Sequence, residues 1–193
     1  MWRIAVLLVC AVFLCCSDND STGPSDDGEI YPLAIGNTWT FEVAQFDTLG
    51  NVESLDTISG EVVRDTVIAG ETWYVTEGED EDGIHSGYCI LRSDGFYEGW
   101  PQEELLYKYP VQVGDWYMVE DDTVQVEDLS ESVSVPAGDF DCVRYRIHGY
   151  LPIVIYQRLC PNVGLVSVEA NLERANGDLL LAMRIRLLSY TLY

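Results

Sequence analysis

Six cysteines, two histidines and 33 acidic residues are the side chains of this 193-residue chain whose types and spacing could do chemistry. Cys10, Cys15 and Cys16 belong to an apolar N-terminal run and stand apart from Cys89, Cys142 and Cys160. Cys142 and Cys160 flank a turn expected at Gly149 to Pro152, in a hairpin centred on Leu151. In that register they face each other across two strands and could close a disulfide. The same register sets Arg144 opposite Arg158, an unfavourable like-charge pair, so buried free thiols are the competing reading. Cys89 reads as buried rather than reactive.

The carboxylates argue less for a site. Glu77-Gly-Glu79-Asp80-Glu81-Asp82-Gly83, and Glu120-Asp121-Asp122 with Glu127-Asp128, lack the alternating Asp spacing and the closing Glu of a calcium loop. They read as solvated loops that discourage edge-to-edge pairing. Glu103-Glu104 would suit glycoside hydrolysis only if folding set two carboxylates at a working separation. Gly-x-Ser-x-Gly, His-Glu-x-x-His, a phosphate-cradling loop and Cys-x-x-Cys do not occur. His85 and Cys89 are four apart, which is no metal signal on a strand, and His148 alternates with Arg144 and Arg146 on a polar strand side. The expectation is a non-enzyme without catalytic residues, cofactor or metal. Exposed aromatics beside carboxylates could bind a glycan, but Trp39, Trp73 and Trp116 sit in strand alternation and read as core.

Charge narrows the partners. With 10 Lys and Arg against 33 acids the net charge is −23, which excludes a general nucleic-acid binder. Lys108 is the one lysine, so a polybasic membrane patch is excluded as well. The protein or glycan partner stays open.

Arg3 precedes an unbroken apolar run from Ile4 to Leu14, after which the composition flips to SDNDSTGPSDDGE. Such a run spans about 16 Å as a helix, at ~1.5 Å per residue, against a hydrocarbon core of ~30 Å. It is too short for a transmembrane anchor and fits a signal-peptide core. No small-x-small cleavage site follows; a cysteine pair does. The segment resembles a bacterial lipoprotein signal over residues 1–15, with Cys16 as the acylated residue and Cys15 as the alternative. Phe13 and Leu14 depart from the family's Leu and small residue at those places. Several acyl chains would give stable membrane attachment. Ser17 after the cysteine resembles outer-membrane sorting more than inner-membrane retention. Residues 16–30 read as an acidic flexible tether, and residues 31–193 as a single domain.

The elements that must position these residues are strands. Short apolar alternations, β-branched and aromatic residues and frequent turn signals predict an all-β fold. Strands fit Thr38 to Phe46, Val52 to Val63, Trp73 to Val75, Tyr88 to Leu91, Phe96-Tyr97, Val124 to Val135 and Asp141 to Ile147, with turns at Asp82-Gly83 and Asp94-Gly95. The clearest element is a C-terminal hairpin with a two-residue type I′ turn at Asn176-Gly177. Its register sets Val166 opposite Leu187, Val168 opposite Ile185, Ala170 opposite Met183 and Leu172 opposite Leu181, with Glu169 facing Arg184 as an ion pair. An antiparallel meander curled into a barrel, a half-barrel or a sandwich follows.

Tyr31-Pro-Leu-Ala-Ile-Gly36-Asn-Thr-Trp39 resembles Tyr109-Pro-Val-Gln-Val-Gly114-Asp-Trp116, and Val67-Ile-Ala-Gly70 resembles Val135-Pro-Ala-Gly138. A repeated strand–turn–strand unit or reuse of the same turn chemistry explains both. The ordered blocks YPLAIGNTWTF, YPVQVGDW, VSVPAGDFDCVRY, CPNVGLVSVE and LLSY resemble a family of bacterial secreted or lipid-anchored β proteins of uncharacterised function. Asn162 departs from that family's Gly. The resemblance covers residues 31–190 and implies an all-β domain related to the half-barrels of lipoprotein carriers, with no catalytic residues. The sequence reading is a lipid-anchored, non-enzymatic binding or assembly module of the bacterial envelope. Its alternative is a carrier holding a hydrophobic ligand within a curved sheet.

Overall fold

The computed structural model describes residues 28–80, 83–149 and 152–193. The signal segment with Cys15 and Cys16, the tether up to residue 27, Asp82 of one expected turn and Leu151 of another lie outside the described residues.

Twelve antiparallel strands form one sheet: β1 Thr38–Phe46, β2 Val52–Ile68, β3 Glu71–Asp80, β4 Gly83–Arg92, β5 Gly95–Glu98, β6 Glu104–Lys108, β7 Trp116–Val119, β8 Asp122–Val135, β9 Gly138–His148, β10 Ile153–Cys160, β11 Gly164–Glu173 and β12 Leu179–Thr191. Among the described residues there is no helix. The order β6-β5-β4-β3-β2-β1-β12-β11-β10-β9-β8-β7 is two six-stranded meanders joined where β1 pairs with β12. The expected all-β meander is thereby realised as a nearly closed barrel.

Its open seam lies between β6 and β7, which share no backbone ladder. Contacts from β7, β9 and the turns beside the seam hold β6 in place instead. Tyr117 donates its hydroxyl to the Leu106 carbonyl at 2.8 Å, and Tyr145 donates to the Lys108 carbonyl at 2.9 Å. The Glu120 N–H donates to Glu104, and Lys108 lies 3.5 Å from Asp115.

The repeated sequence blocks fold alike. Gly36 N–H donates to the Val62 carbonyl and Val62 N–H to the Asn37 carbonyl, at 2.8 and 3.0 Å. Gly114 does the same with Val126, and Val126 with Asp115, at 2.9 and 2.9 Å. Both glycines hold left-handed backbone, φ 94° and 92°, which explains Gly at that place in each block. Thus each meander opens with one turn clamped onto its own long strand. The second pair of blocks folds differently: the β2–β3 turn holds Ala69 and Gly70 at positive φ, whereas β8 and β9 join through Pro136 and Ala137.

The C-terminal hairpin keeps most of the expected register and corrects its turn. Val168 pairs with Ile185, Glu169 with Arg184 and Ala170 with Met183, as the alternation demands. Beyond a bulge, however, Asn171 pairs with Leu181 and Leu172 with Leu180, not with Leu181. The turn is wider than two residues, closed by Gly177 N–H on the Arg174 carbonyl and Arg174 N–H on the Asp178 carbonyl. Gly177 alone takes positive φ there, at 86°, so the type I′ geometry is replaced by a longer loop. The bulge offsets this change and returns the core-facing residues to register.

The core lines the inside of the barrel: Trp39, Phe41 and Val43 from β1, Phe96 from β5, Val124 and Val126 from β8, Val143 and Tyr145 from β9, Ile185 and Leu187 from β12. Residues ahead of β1 join it. Ile30, Tyr31 and Leu33 are buried, and Glu29 exchanges two hydrogen bonds with Asn162. The folded domain therefore takes in Glu29 and Ile30, which composition alone assigns to the tether.

Candidate functional site

Aromatic rings cross the barrel interior. Tyr31 stacks on Phe96 with centroids 5.1 Å apart and meets Trp39 edge-on at 5.3 Å. Phe96 continues to Tyr107 at 6.0 Å and Tyr107 to Tyr145 at 5.6 Å. The polar ends are used: Trp39 donates its indole N–H to the Val163 carbonyl at 2.7 Å, and Tyr145 reaches the seam. Gly164, at φ 91°, carries the Tyr31 ring against its backbone, where a Cβ would lie 3.1 Å from the ring. The column runs from the N-terminal segment to the β6–β7 seam.

One carboxyl interrupts this interior. Glu98 shares the inward side of β5 with Phe96, opposite Cys89 on β4 and Glu104 on β6. Burial, with the neighbouring Glu104 charge adding to it, pushes its pKa up to about 8. Burial also raises Glu104, and holds Tyr107 and Tyr145 far above their usual range. At neutral pH a protonated Glu98 can donate a proton or a hydrogen bond. Neither histidine sits with it: His85 lies 3.1 Å from Asp80, and His148 pairs with Thr123 and Val154.

The outer face of β8 to β12 gathers Arg144, Arg146, Arg158, Arg184 and Arg186, half of the ten basic residues of a strongly acidic chain. An alternating chain of ion pairs runs across the strands. Arg146 and Arg144 both bind Glu127, Arg144 and Arg158 both bind Glu131, and Arg158 binds Glu169, all between 3.0 and 3.2 Å. Tyr156 sits among three guanidinium groups, 5.8 to 5.9 Å from its ring. The expected Arg144–Arg158 juxtaposition is real, and Glu131 between the two neutralises it. The expected Glu169–Arg184 ion pair is not made. The two residues face each other, but Glu169 turns to Arg158 while Arg184 lies over the Phe46 ring at 5.3 Å.

The tryptophans divide. Trp39 is core as expected, and Trp73 is buried, but on the opposite side of β3 from the core residue Tyr74. There it packs against Trp100 at 5.8 Å and beneath Arg92, which binds Glu71 and Glu103 and also lies 4.8 Å from the Tyr97 ring. Trp116 is not core. It is 67% exposed on edge strand β7, because the inward phase belongs to Tyr117, whose partner is the buried Val124. Trp100, which meets Trp73 edge-on close to Arg92 and its two carboxylates, is 43% exposed.

Cys89 is buried and donates to the Tyr74 carbonyl. Cys142 and Cys160 are free thiols at the same level of β9 and β10. The Glu103-Glu104 pair is split, Glu103 binding Arg92 outside and Glu104 reaching the seam. Among the described residues no three His, Cys, Asp or Glu converge as a metal site requires.

Comparison with known proteins gives a fold. No family model matches the chain, and no curated protein matches it. Two solved structures do. A candidate exported protein with a YmcC-like fold from Bacteroides fragilis superposes with a TM-score of 0.59 at 14% identity, over 86% of this chain and 100% of its own. A candidate lipoprotein from Parabacteroides distasonis gives 0.55 at 15% identity, with the same coverages. The barrel is theirs. At such identity the likeness speaks for architecture, and side-chain chemistry must be read from this chain.

Proposed function

We propose that this protein is a lipid-anchored, non-enzymatic binding module of the bacterial envelope, acylated at Cys16 and presenting the outer surface of its barrel to a protein or glycan. The observation that carries this reading is the column of contacting rings inside the barrel, Tyr31, Trp39, Phe96, Tyr107 and Tyr145, which occupies room a ligand would otherwise take. A carrier needs an open apolar lumen; a module needs a rigid barrel with chemistry outside. The outside of this one holds the arginine and glutamate chain around Tyr156 and the half-exposed Trp100 against Trp73. Envelope placement is supported by the signal-like N-terminus and by a barrel shared with proteins described as exported or as a lipoprotein. Ser17 favours the outer membrane.

Two measurements test the reading. Intact mass of the membrane-extracted protein should match cleavage before Cys16 plus acyl chains, and Cys16→Ala should release an unacylated soluble product. Titration of the purified domain with a fluorescent fatty acid should leave the tryptophan emission unchanged. Stoichiometric, saturable quenching would instead establish the carrier.

A further inference from the structure

We propose that Cys160 and Cys142 form a disulfide in a fixed order, Cys160 reacting first with an external disulfide and Cys142 then closing the bond that pins β9 to β10. The register carries the pairing. Arg144 faces Arg158 and Val143 faces Leu159, so Cys142 and Cys160 stand at the next level of the same ladder. Directly opposed residues of an antiparallel pair have Cα atoms about 4.5–5.5 Å apart, inside the ~4.4–6.8 Å that a disulfide spans. The two thiols are near enough to shift each other's ionisation, and the Cys160 thiol rests on the Pro161 carbonyl at 3.5 Å. The like-charge objection to this register is removed by Glu131, which faces Cys142 and binds both Arg144 and Arg158.

Exposure carries the order. Cys142 is fully buried, whereas Cys160 is half-buried, beside the β10–β11 turn. Interaction with Cys142 holds the Cys160 thiol below its ordinary pKa, and the same interaction, with burial, holds Cys142 above. The accessible sulfur is therefore also the one richer in thiolate, the reactive form. In the first step the Cys160 thiolate attacks one sulfur of the external disulfide, giving a mixed disulfide and releasing a thiolate. In the second, Cys142 gives its proton to that thiolate, attacks the Cys160 sulfur and expels the second thiolate. Two protein thiols are oxidised and one external disulfide is reduced to two thiols. The bond would lock the level from which the β10–β11 turn holds Glu29, where the N-terminal segment joins the barrel.

The full chain, purified reduced, is exposed to oxidised glutathione, quenched with an alkylating agent and mapped by mass spectrometry. This reaction needs no membrane, so its outcome is separate from that of the anchor. The wild type should lose alkylation at Cys142 and Cys160 together, two mass units below the reduced form, while Cys89 stays alkylatable after unfolding. Cys142→Ser should accumulate glutathione on Cys160 at least about tenfold faster than Cys160→Ser accumulates it on Cys142. If either serine variant fails to fold, early time points of the wild type decide, since the transient adduct should map to Cys160. The oxidised wild type should melt about 5–10 °C higher than the reduced. Both cysteines still alkylatable at equilibrium would overturn the bond, and an adduct on Cys142 at an equal rate would overturn the order.

Discussion

Glu98 shows how one side chain can give a stable barrel an unusual pH profile. Its carboxyl is raised from 4.5 to about 8 by burial, so the folded state keeps a proton that the unfolded chain gives up. Its contribution to stability is complete below about pH 4.5 and is lost as pH rises to about 8. Glu98→Gln should therefore be more stable than the wild type at pH 8, with the difference shrinking toward pH 5. Urea melts at pH 5, 6, 7 and 8 check the slope, and parallel curves would mean that the carboxyl is solvated. The alternation already marks this residue, because Glu98 follows Phe96 at the spacing of one strand face. What it does not reveal is that folding covers most of that carboxyl beside β6.

At the scale of elements, the β8–β11 ion pairs and the β10–β11 turn make separable claims. Glu131 lies between two arginines that the β9–β10 register forces together. Glu131→Gln should cost about 1–3 kcal/mol, since it leaves two partly buried guanidinium groups facing each other. Arg144→Met in that background should recover part of the loss, which a double-mutant cycle by chemical denaturation would measure. Glycines separate strain from crowding. Both Gly70 and Gly164 hold positive φ, at 90° and 91°, but a Cβ meets nothing at Gly70 and meets the Tyr31 ring at Gly164. Gly70→Ala should cost about 1 kcal/mol, and Gly164→Ala distinctly more, by thermal melts of the two variants side by side.

For the whole molecule, a module and a carrier differ in the interior. Tyr31 reaches the core from outside the sheet and touches both Trp39 and Phe96. Tyr31→Ala should destabilise by about 3–5 kcal/mol, as expected for an aromatic removed from a packed core. It should also open an apolar space that binds a hydrophobic dye, which the wild type would leave in solution; dye fluorescence and denaturant melts read both effects. Net charge acts on the same scale. With 33 acids against 10 bases, self-repulsion opposes compaction, so the melting temperature should rise between 10 and 300 mM sodium chloride.

The strand class, most of the strand positions and the register of two hairpins are written in the order of the residues. They follow from local rules: side chains alternate with period two, and turn residues punctuate. Hence the Cys142–Cys160 level, the Val168–Ile185 pairing and the twin Gly36 and Gly114 turns are legible in the chain itself. What closes over what was settled only when distant segments packed together. Trp116 points outward because β7 became an edge, and Ile30 is buried because the segment before β1 entered the barrel. Glu169 left Arg184 for Arg158 because a third strand brought a second cation within reach. Each outcome depends on contacts between residues far apart in the chain, and no periodicity within a strand encodes them.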